Sequence, residues 1–203
     1  MGRISKDPEE RREDYINAAE ELFLEKGYEN TSASDIIKKI GLAQGTFYYY
    51  FRSKDDILEA VIYRYLERYG SALKNVADNN DINAMDKLQE IIHLSFNLRN
   101  NGDALEKYIF ESSIARHEKF ERNFNALIIP LLAKVVEQGM KEGLFEVDFP
   151  METAEMLVVM LYYSFYSAKR SKDWEERYRK MWVAENLIKK ALNARKCSLS
   201  LMN

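Results

Sequence analysis

The sequence predicts an all-α protein, and three observations support this fold class. Only three prolines and eight glycines interrupt its 203 residues, so long helices meet few breaks. No segment shows the strict alternation of apolar and polar residues that is typical of a strand. Apolar side chains recur instead at the spacing of one helix face, as in Tyr15, Ile16, Ala19, Leu22 and Phe23. We expect about nine helices, in a small N-terminal domain followed by a larger helical bundle.

Capping residues predict four helices in the N-terminal third. Asp7 followed by Pro8 is typical of a helix start, and Gly27 is typical of a helix end. Ser32 with an acidic residue three positions later predicts a second start, and the same spacing recurs at Ser53. The predicted helices are residues 8–26, 33–40, 44–51 and 54–76.

Five further helices are predicted after the polar segment ADNNDIN, and polar or turn-forming residues separate them. We expect these helices at residues 82–100, 103–115, 118–142, 151–170 and 173–196. The chain is thus predicted to divide into an N-terminal domain, residues 8–69, and a bundle, residues 70–197. The helix-turn-helix of the first domain is expected at about residues 32–51.

Five consecutive aromatic residues, from 47 to 51, divide between two faces if residues 44–51 are helical. At 100° per residue, Phe47, Tyr50 and Phe51 share one side, which we expect to be buried. The opposite side is predicted to be exposed and to carry Gly45, Tyr48 and Tyr49, with Gln44 and Thr46 beside it. Such a helix suits a DNA major groove, because bare backbone can approach closely while hydroxyl and amide groups hydrogen-bond phosphates or bases.

The charge close to this helix favours contact with nucleic acid, whereas the net charge of the whole chain does not. The formal net charge is −3, from 30 basic and 33 acidic residues, which predicts no general affinity for polyanions. Between residues 36 and 54, however, Lys38, Lys39, Arg52 and Lys54 meet no acidic residue. We expect Lys54, in the first turn of the next helix, to add a cation beside a helix end that already favours anions.

Two stretches between about Arg12 and Leu58 carry a family resemblance. INAAEELFLEKGYENTS and DIIKKIGLAQGTFYYYFRSKDDIL resemble the DNA-binding domain of the TetR family of bacterial transcriptional regulators. The chain departs from the family at Ala43, where serine is common, and at Ser34 and Tyr49, where a basic residue or histidine is common. The resemblance implies that DNA contacts fall at Thr31 or Ser32, Gln44, Thr46, Tyr48, Tyr49 and Lys54.

The resemblance also implies a homodimer whose bundle senses a small molecule. The resulting hypothesis is a repressor that binds double-stranded DNA at a near-palindromic operator and is released by a small apolar or amphipathic ligand. The alternative hypothesis is a helical protein that dimerises without useful DNA binding, which Ala43 and the excess of acids in the N-terminal domain favour. An enzyme with this fold is a third hypothesis, but no glycine loop for phosphates and no nucleophile turn supports it. We predict no enzymatic activity.

The last two predicted helices are the candidate dimer interface. Residues 156–166 are apolar on every side of their helix, which is typical of an enclosed helix. The final helix carries a comparable set of apolar side chains: Trp174, Tyr178, Met181, Trp182, Ile188 and Leu192. One face of this pair can pack inward while the other meets a second copy in a two-fold four-helix arrangement.

A ligand cavity is predicted beside Pro130, because proline inside a helix cannot donate to the carbonyl four residues earlier and bends the helix. The predicted lining is apolar with a few hydroxyls: Phe96, Tyr108, Phe124, Leu127, Met160 and Tyr163. The competing interpretation is that these side chains fill an ordinary core.

Metal and cofactor sites are not predicted. His93 and His117 lie on different helices, with no cysteine or acidic cluster at metal-ligand spacing. The single cysteine, Cys197, has no partner for an internal disulfide, and the N-terminal residues lack the apolar run of a secretion signal. Residues 156–166 are too short to span a bilayer, which needs about 20 apolar residues. We expect a soluble, cytoplasmic protein.

Overall fold

The computed structural model describes residues 7–100, 114–194, 199 and 201, with the side chains of 96–100, 114–116 and 169 excepted. Within these residues the chain forms eight α-helices and no strand, which confirms the predicted fold class. The helices are α1 (Pro8–Lys26), α2 (Ala33–Ile40), α3 (Gln44–Tyr50), α4 (Lys54–Asp78), α5 (Ala84–Asn100), α6 (Ile114–Lys141), α7 (Pro150–Arg170) and α8 (Trp174–Ala191). The helix predicted at 103–115 lies almost wholly outside the described residues.

The local capping signals set the ends of the first helices. The Asp7 carboxylate accepts from the Glu9 N–H at 2.9 Å at the start of α1, where unpaired amides favour a negative charge. At the end of this helix Gly27 has φ 80°, and at the end of α2 Gly41 has φ 72°. Both glycines therefore adopt a left-handed φ that side chains disfavour.

The final helix ends earlier than predicted. α8 stops at Ala191, and Asn193 adopts a left-handed φ of 48°, a conformation that asparagine tolerates better than most residues. The turn is held from outside the helix, since the Leu192 carbonyl accepts from Glu146 N–H at 3.0 Å. The Asn193 amide also donates to the Glu146 carboxylate at 2.6 Å. No glycine or proline marks this stop in the sequence.

The chain forms two compact units. Of the described residues, the first unit contains those up to Arg68 and 114–117, and the second contains Tyr69–Asn100 and those from Glu118 onward. The first unit packs α1 to α3 and the start of α4 around a fully buried set: Tyr15, Ile16, Phe23, Ile36, Phe47, Phe51, Ile57 and Leu58. The boundary falls inside α4, between Arg68 and Tyr69.

In the second unit, a buried lysine holds the turn between α4 and α5. Lys87 is 1% exposed, and its ammonium donates to the Ala77 carbonyl at 2.8 Å and to the Gln138 side chain at 2.6 Å. A cation near the last carbonyls of α4 is favourable there, because those carbonyls carry partial negative charge. The α5 start is held as well, since the Ala84 N–H donates to Glu142 at 2.8 Å.

The second unit also depends on one helical glycine. A Cβ on Gly139, in α6, would lie 2.0 Å from the Phe145 ring, so only glycine allows this buried ring to lie on the helix. α6 itself continues through Pro130, and α7 packs against α8.

Candidate nucleic-acid interface

The pair α2 and α3 forms a helix-turn-helix whose geometry is set by local hydrogen bonds. Ser32 and Asp35 form the predicted capping box at the start of α2, with the Asp35 N–H donating to the Ser32 hydroxyl at 3.1 Å. The turn begins at Gly41, whose N–H donates to Ile37 at 3.0 Å. α3 then starts at Gln44, and its N-cap residue Ala43 makes no side-chain hydrogen bond, in line with the missing serine noted from the sequence.

Hydrogen bonds from Ser32 also set the charge state at this helix start. The Ser32 side chain and backbone N–H hold the pKa of the Asp35 carboxyl below its usual range, since donors to a carboxylate favour its charged form. A carboxylate is thereby kept at the N-terminus of α2, where it stabilises the helix.

The back of α3 is fixed by aromatic packing. Phe47 is fully buried and Phe51 is 2% exposed, as the helical spacing predicted. The Tyr15 ring of α1 contacts both, with centroid distances of 5.6 Å to Phe47 and 6.3 Å to Phe51. Tyr50, which was predicted to be buried as well, is only half-buried, and its ring lies 6.0 Å from that of Tyr15. Each edge-on or tilted pair of this kind adds roughly 0.5–1.5 kcal/mol beyond the burial itself.

The front of α3 is open. Tyr49 is 77% exposed and Tyr48 is 50% exposed, and Gln44 and Gly45 are exposed beside them. A Cβ built on Gly45 would meet nothing within 4 Å. Phe47 and Phe51 of the aromatic run are thus buried and Tyr48 and Tyr49 are exposed, as predicted. The exposed surface of α3 carries the two phenols, the amide of Gln44 and the bare backbone of Gly45.

Lys54 is positioned by Tyr28, a contact that the sequence pattern did not reveal. The Lys54 ammonium donates to the Tyr28 carbonyl at 2.9 Å and lies 3.9 Å from the centre of its ring. The Tyr28 hydroxyl in turn donates to Asp55 at 2.7 Å. These contacts fix the first turn of α4 to the segment between α1 and α2, with the Lys54 ammonium held between the carbonyl and the ring face of Tyr28.

Thr31 differs from its predicted role. It is 1% exposed, and its hydroxyl donates to the Gly27 carbonyl at 2.9 Å, with the Leu22 carbonyl at 3.3 Å. The hydroxyl therefore hydrogen-bonds carbonyl groups at the end of α1, and the side chain is too buried to contact DNA. Ser32, the alternative at this place, is exposed, but its hydroxyl is engaged with Asp35 at 2.7 Å.

The middle of α4 is attached to α1 by a cluster of charges inside the first unit. Arg64 bonds the carboxylate of Glu20, and it reaches Glu13 at 3.2 Å and Asn17 at 2.5 Å. Arg68 pairs with the other oxygen of Glu20. Glu20 and Arg64 are mostly shielded from solvent, so this cluster is screened less by salt than an open surface pair.

The second unit contains a small apolar cavity between α5, α6 and α7. Its volume is about 20 Å³, which is close to the space of one water molecule. Phe124 is the one predicted lining residue found there. The lining is otherwise apolar except for Ser95 and Tyr162: Ile91, Ile92, Ser95, Phe124, Ile128, Leu132, Val158, Leu161, Tyr162 and Phe165.

The other predicted cavity residues lie elsewhere or are not described. Tyr163 is 68% exposed, because α7 turns residues 158, 161, 162 and 165 inward and leaves 163 on the opposite face. Met160 is half-buried and does not line the cavity. Leu127 packs against Gly70 of α4. Tyr108 and the side chain of Phe96 lie outside the described residues.

Among the residues that the structure describes, no group of three His, Cys, Asp or Glu side chains is arranged to hold a metal ion. In the same part of the chain, no helix is both long and apolar enough to cross a membrane.

Two family models match this chain. Residues 16–61 match the model described as bacterial regulatory proteins, tetR family. Residues 100–184 match the tetracyclin repressor-like C-terminal domain. The first match contains α2 and α3 entire, and the second contains α6 and α7 entire.

Individual relatives support the same assignment. The transcriptional repressor KstR2 of Mycobacterium tuberculosis (strain H37Rv) is 23% identical over 157 residues, which are 75% of this chain and 78% of KstR2. The regulator YvdT of Bacillus subtilis (strain 168) is 51% identical over 49 residues. That match spans 24% of this chain and only 25% of YvdT.

Solved structures show that the fold is shared. A TetR-family transcriptional regulator from Pectobacterium atrosepticum superimposes with a TM-score of 0.73, at 17% identity, over 94% of this chain and 98% of its own. The complex of SmeT with triclosan superimposes with a TM-score of 0.62, at 19% identity, over 89% of this chain and 90% of its own.

Proposed function

Because this chain belongs to the TetR family of bacterial transcriptional regulators, we propose that it is a homodimeric repressor released from a near-palindromic operator by a small uncharged ligand. The observation that carries the proposal is α3, with Phe47 buried behind it and Tyr48, Tyr49 and Gly45 open in front. Its site of action is the bacterial cytoplasm, where operator DNA lies. The proposed function includes no catalytic activity.

The exposed groups of α3 divide by the part of DNA that they suit. Tyr49 and Gln44 project from the open face and suit base edges, while Thr46 and Tyr48 suit phosphate oxygens. Lys54 keeps a fixed position at the start of α4 and supplies a cation for phosphate. Bare backbone at Gly45 permits the close approach that base contacts require.

The dimer is supported by exposed apolar stripes on α7 and α8. Along α7, the outward side chains recur at helical spacing and are about half exposed or more: Met156, Val159, Tyr163 and Tyr166. The outward side chains of α8 are also apolar, and three of the five are aromatic: Trp174, Tyr178, Trp182, Val183 and Leu187. Monomeric proteins rarely expose a continuous apolar patch of this kind. A two-fold copy would bury both stripes in a four-helix interface and place two α3 helices on successive major-groove faces.

The ligand class follows from the cavity. Its lining has no carboxylate, ammonium or guanidinium group, so a charged ligand would lose its hydration without a partner. The hydroxyls of Ser95 and Tyr162 can orient one polar group. Since the volume of about 20 Å³ is too small for any such ligand, binding requires a state with a wider cavity. The SmeT neighbour is a complex with the small molecule triclosan, which supports a ligand site in this fold.

Selection from a random duplex library tests the DNA-binding proposal. The wild-type protein should enrich a near-palindromic sequence, and its affinity should fall linearly with the logarithm of salt concentration, because phosphate contacts release counterions. A variant with Tyr49→Ala and Lys54→Ala together is the control and should no longer enrich the sequence that the wild-type protein selects. Failure of the wild-type protein to retain any duplex would favour the alternative, a dimerising protein without useful DNA binding.

Sedimentation equilibrium tests the dimer. Trp182→Glu places a charge in the centre of the α8 stripe and should convert the dimer to a monomer. Tyr63→Glu, at an exposed tyrosine of α4, is the matched control and should leave the dimer intact. A wild-type protein that sediments as a monomer would exclude this interface.

A further inference from the structure

We infer that the base pairs read by α3 are A·T pairs, with an adenine recognised by Gln44 and the methyl group of a thymine recognised by Tyr49. This inference rests on the proposed function, in which α3 enters a major groove of the operator. It goes further because it names the bases, whereas the division into base and phosphate contacts leaves them open.

The surface of α3 carries hydrogen-bonding and apolar groups but no charge. Its seven residues, QGTFYYY, include no acidic or basic side chain. In a major groove, guanine is most often recognised by arginine or lysine, which donate to its O6 and N7 atoms. Glutamine pairs instead with N6 and N7 of adenine, and apolar groups contact the methyl group of thymine. The groups on α3 therefore suit A·T pairs, and the cation that suits guanine is missing from this helix.

Two of the four cations between residues 36 and 54 are held by partners inside the first unit. The Lys39 ammonium lies 2.6 Å from the carboxylate of Glu21 in α1. The Lys54 ammonium donates to the Tyr28 carbonyl at 2.9 Å and lies over the Tyr28 ring. Neither lysine can extend to a base beside α3 without losing its partner. Both therefore suit a phosphate at the edge of the groove better than a guanine inside it.

The other two cations lie away from the exposed groups at the start of α3. Lys38 is two residues, or about 200° around the helix, from the fully buried Ile36, so it lies on the opposite side of α2. Arg52 lies beyond Tyr50, the last residue of α3, which is about 9 Å along the axis from Gln44. Because a recognition helix contacts bases mainly through its N-terminal residues, Arg52 also suits the DNA backbone.

Tyr49 is supported from behind, which fixes the apolar edge that it presents. Its ring meets that of Tyr50 edge-on, with centroids 4.9 Å apart and planes at 89°. The half-buried Tyr50 ring lies in turn 6.0 Å from that of Tyr15, which is fully buried. Edge-on pairs of this kind are attractive, and a ring already held in place loses little freedom on binding. Tyr49 can therefore present the same surface to each duplex and distinguish a methyl group from its absence.

Gly45 leaves room for the thymine methyl group. It is four residues before Tyr49, so both lie on the same side of α3. A Cβ at Gly45 would meet nothing within 4 Å, and without one the backbone beside the Tyr49 ring is bare. A methyl group in the groove can then lie between this backbone and the ring. Cytosine carries no methyl group at that position and would leave the space unfilled.

Base analogues test the two contacts separately, in the duplex selected by the wild-type protein. Deoxyuridine in place of thymidine removes only the methyl group, and 7-deazaadenine in place of adenine removes only the N7 acceptor. Each is placed singly at every suitable position of one half-site, and fluorescence anisotropy measures the affinity. We expect one thymine at which deoxyuridine weakens binding at least about threefold. We expect one adenine at which 7-deazaadenine weakens binding about fivefold or more.

Variants of the full chain assign each effect to a side chain. In Tyr49→Ala, deoxyuridine should no longer weaken binding at that thymine, while 7-deazaadenine keeps its effect. In Gln44→Ala, the two results should be reversed. Lys54→Ala is the control, and it should bind each duplex more weakly and keep both sensitivities. Gln44→Arg should change the base selected at the adenine position to guanine.

The outcomes distinguish this inference from the function on which it rests. If the positions whose preference is lost in Gln44→Ala and Tyr49→Ala are G·C pairs in the wild-type selection, the assignment of bases is wrong and operator binding stands. Analogue effects that are the same in the wild-type protein and in both variants would also overturn the assignment. Absence of duplex binding by the wild-type protein would overturn the proposed function itself.

Discussion

Replacement of Gly45 by alanine should raise stability while it weakens DNA binding. A Cβ at this position meets nothing within 4 Å inside the protein, so the substitution introduces no internal clash. Alanine is the better helix former, by up to about 1 kcal/mol. We therefore expect the free energy of unfolding to stay the same or to increase by that amount.

The effect on DNA binding has the opposite sign. If the α3 backbone lies against a groove, the new methyl group occupies space that the duplex needs. Overfilling of a close-packed contact costs about 1–3 kcal/mol. At 1.4 kcal/mol for each tenfold change, this is a loss of about 5- to 150-fold in affinity for each α3 helix bound. The assay is fluorescence anisotropy with the duplex selected by the wild-type protein, beside chemical denaturation of the free protein.

Gly139→Ala is the matched control, since it makes the same substitution in a helix of the second unit. There the Cβ would lie 2.0 Å and 2.4 Å from two carbons of the Phe145 ring. The ring must shift, at a cost of about 2–3 kcal/mol against a helix gain of up to about 1 kcal/mol. This variant should lose stability and keep its operator affinity. Unchanged DNA affinity in Gly45→Ala, or a loss of stability as large as in Gly139→Ala, would refute the assignment of Gly45 to an open DNA-facing surface.

Three further predictions concern the first unit. Tyr49→Ala should change which bases are preferred, whereas Lys54→Ala should weaken binding to all duplexes similarly and flatten its salt dependence. Library selection compares the two variants, and identical effects on every sequence would contradict the assignment of Tyr49 to bases and Lys54 to phosphates. Thr31→Val should lower the free energy of unfolding by about 1–2 kcal/mol, because buried carbonyls lose their hydrogen-bond donor. Operator affinity, measured by fluorescence anisotropy, should not change. A loss of affinity without a loss of stability would show that Thr31 contacts DNA after all. Asp35→Asn should destabilise the protein near neutral pH, and the difference should vanish in acid. The lowered pKa of Asp35 contributes stability that is complete above the pKa of the unfolded chain and is lost as pH falls through the folded pKa. Thermal melts between about pH 2 and about pH 7 check this, and a deficit that persists in acid would contradict it.

The N-terminal helices were predictable because their signals are local. Asp7, Ser32 and the glycines at 27 and 41 act within one turn of the chain, so a capping pattern in the sequence has the same meaning in the fold. The two faces of α3 were predictable for a similar reason. Once residues 44–51 are helical, the spacing alone places Phe47 and Phe51 together on one side.

Residues whose roles depend on distant partners were not predictable in this way. Thr31 is buried because the fold brings the Leu22 carbonyl to its hydroxyl, and the capping pattern beside it cannot show this. Tyr162 and Tyr163 are adjacent aromatic residues in a helix that is apolar all round, so only the packing of α7 decides which one faces the cavity. The burial of Lys87 likewise depends on Gln138, which lies far along the chain.

The most direct test of the central claim is photo-crosslinking from the face of α3. A photoreactive phenylalanine analogue, p-benzoylphenylalanine, replaces Tyr49, which is 77% exposed, or Tyr63, which is 62% exposed in α4. Irradiation with the selected operator duplex should attach DNA at position 49 and leave position 63 unattached. Attachment at position 63 with none at position 49 would show that a different surface binds DNA and would contradict the account.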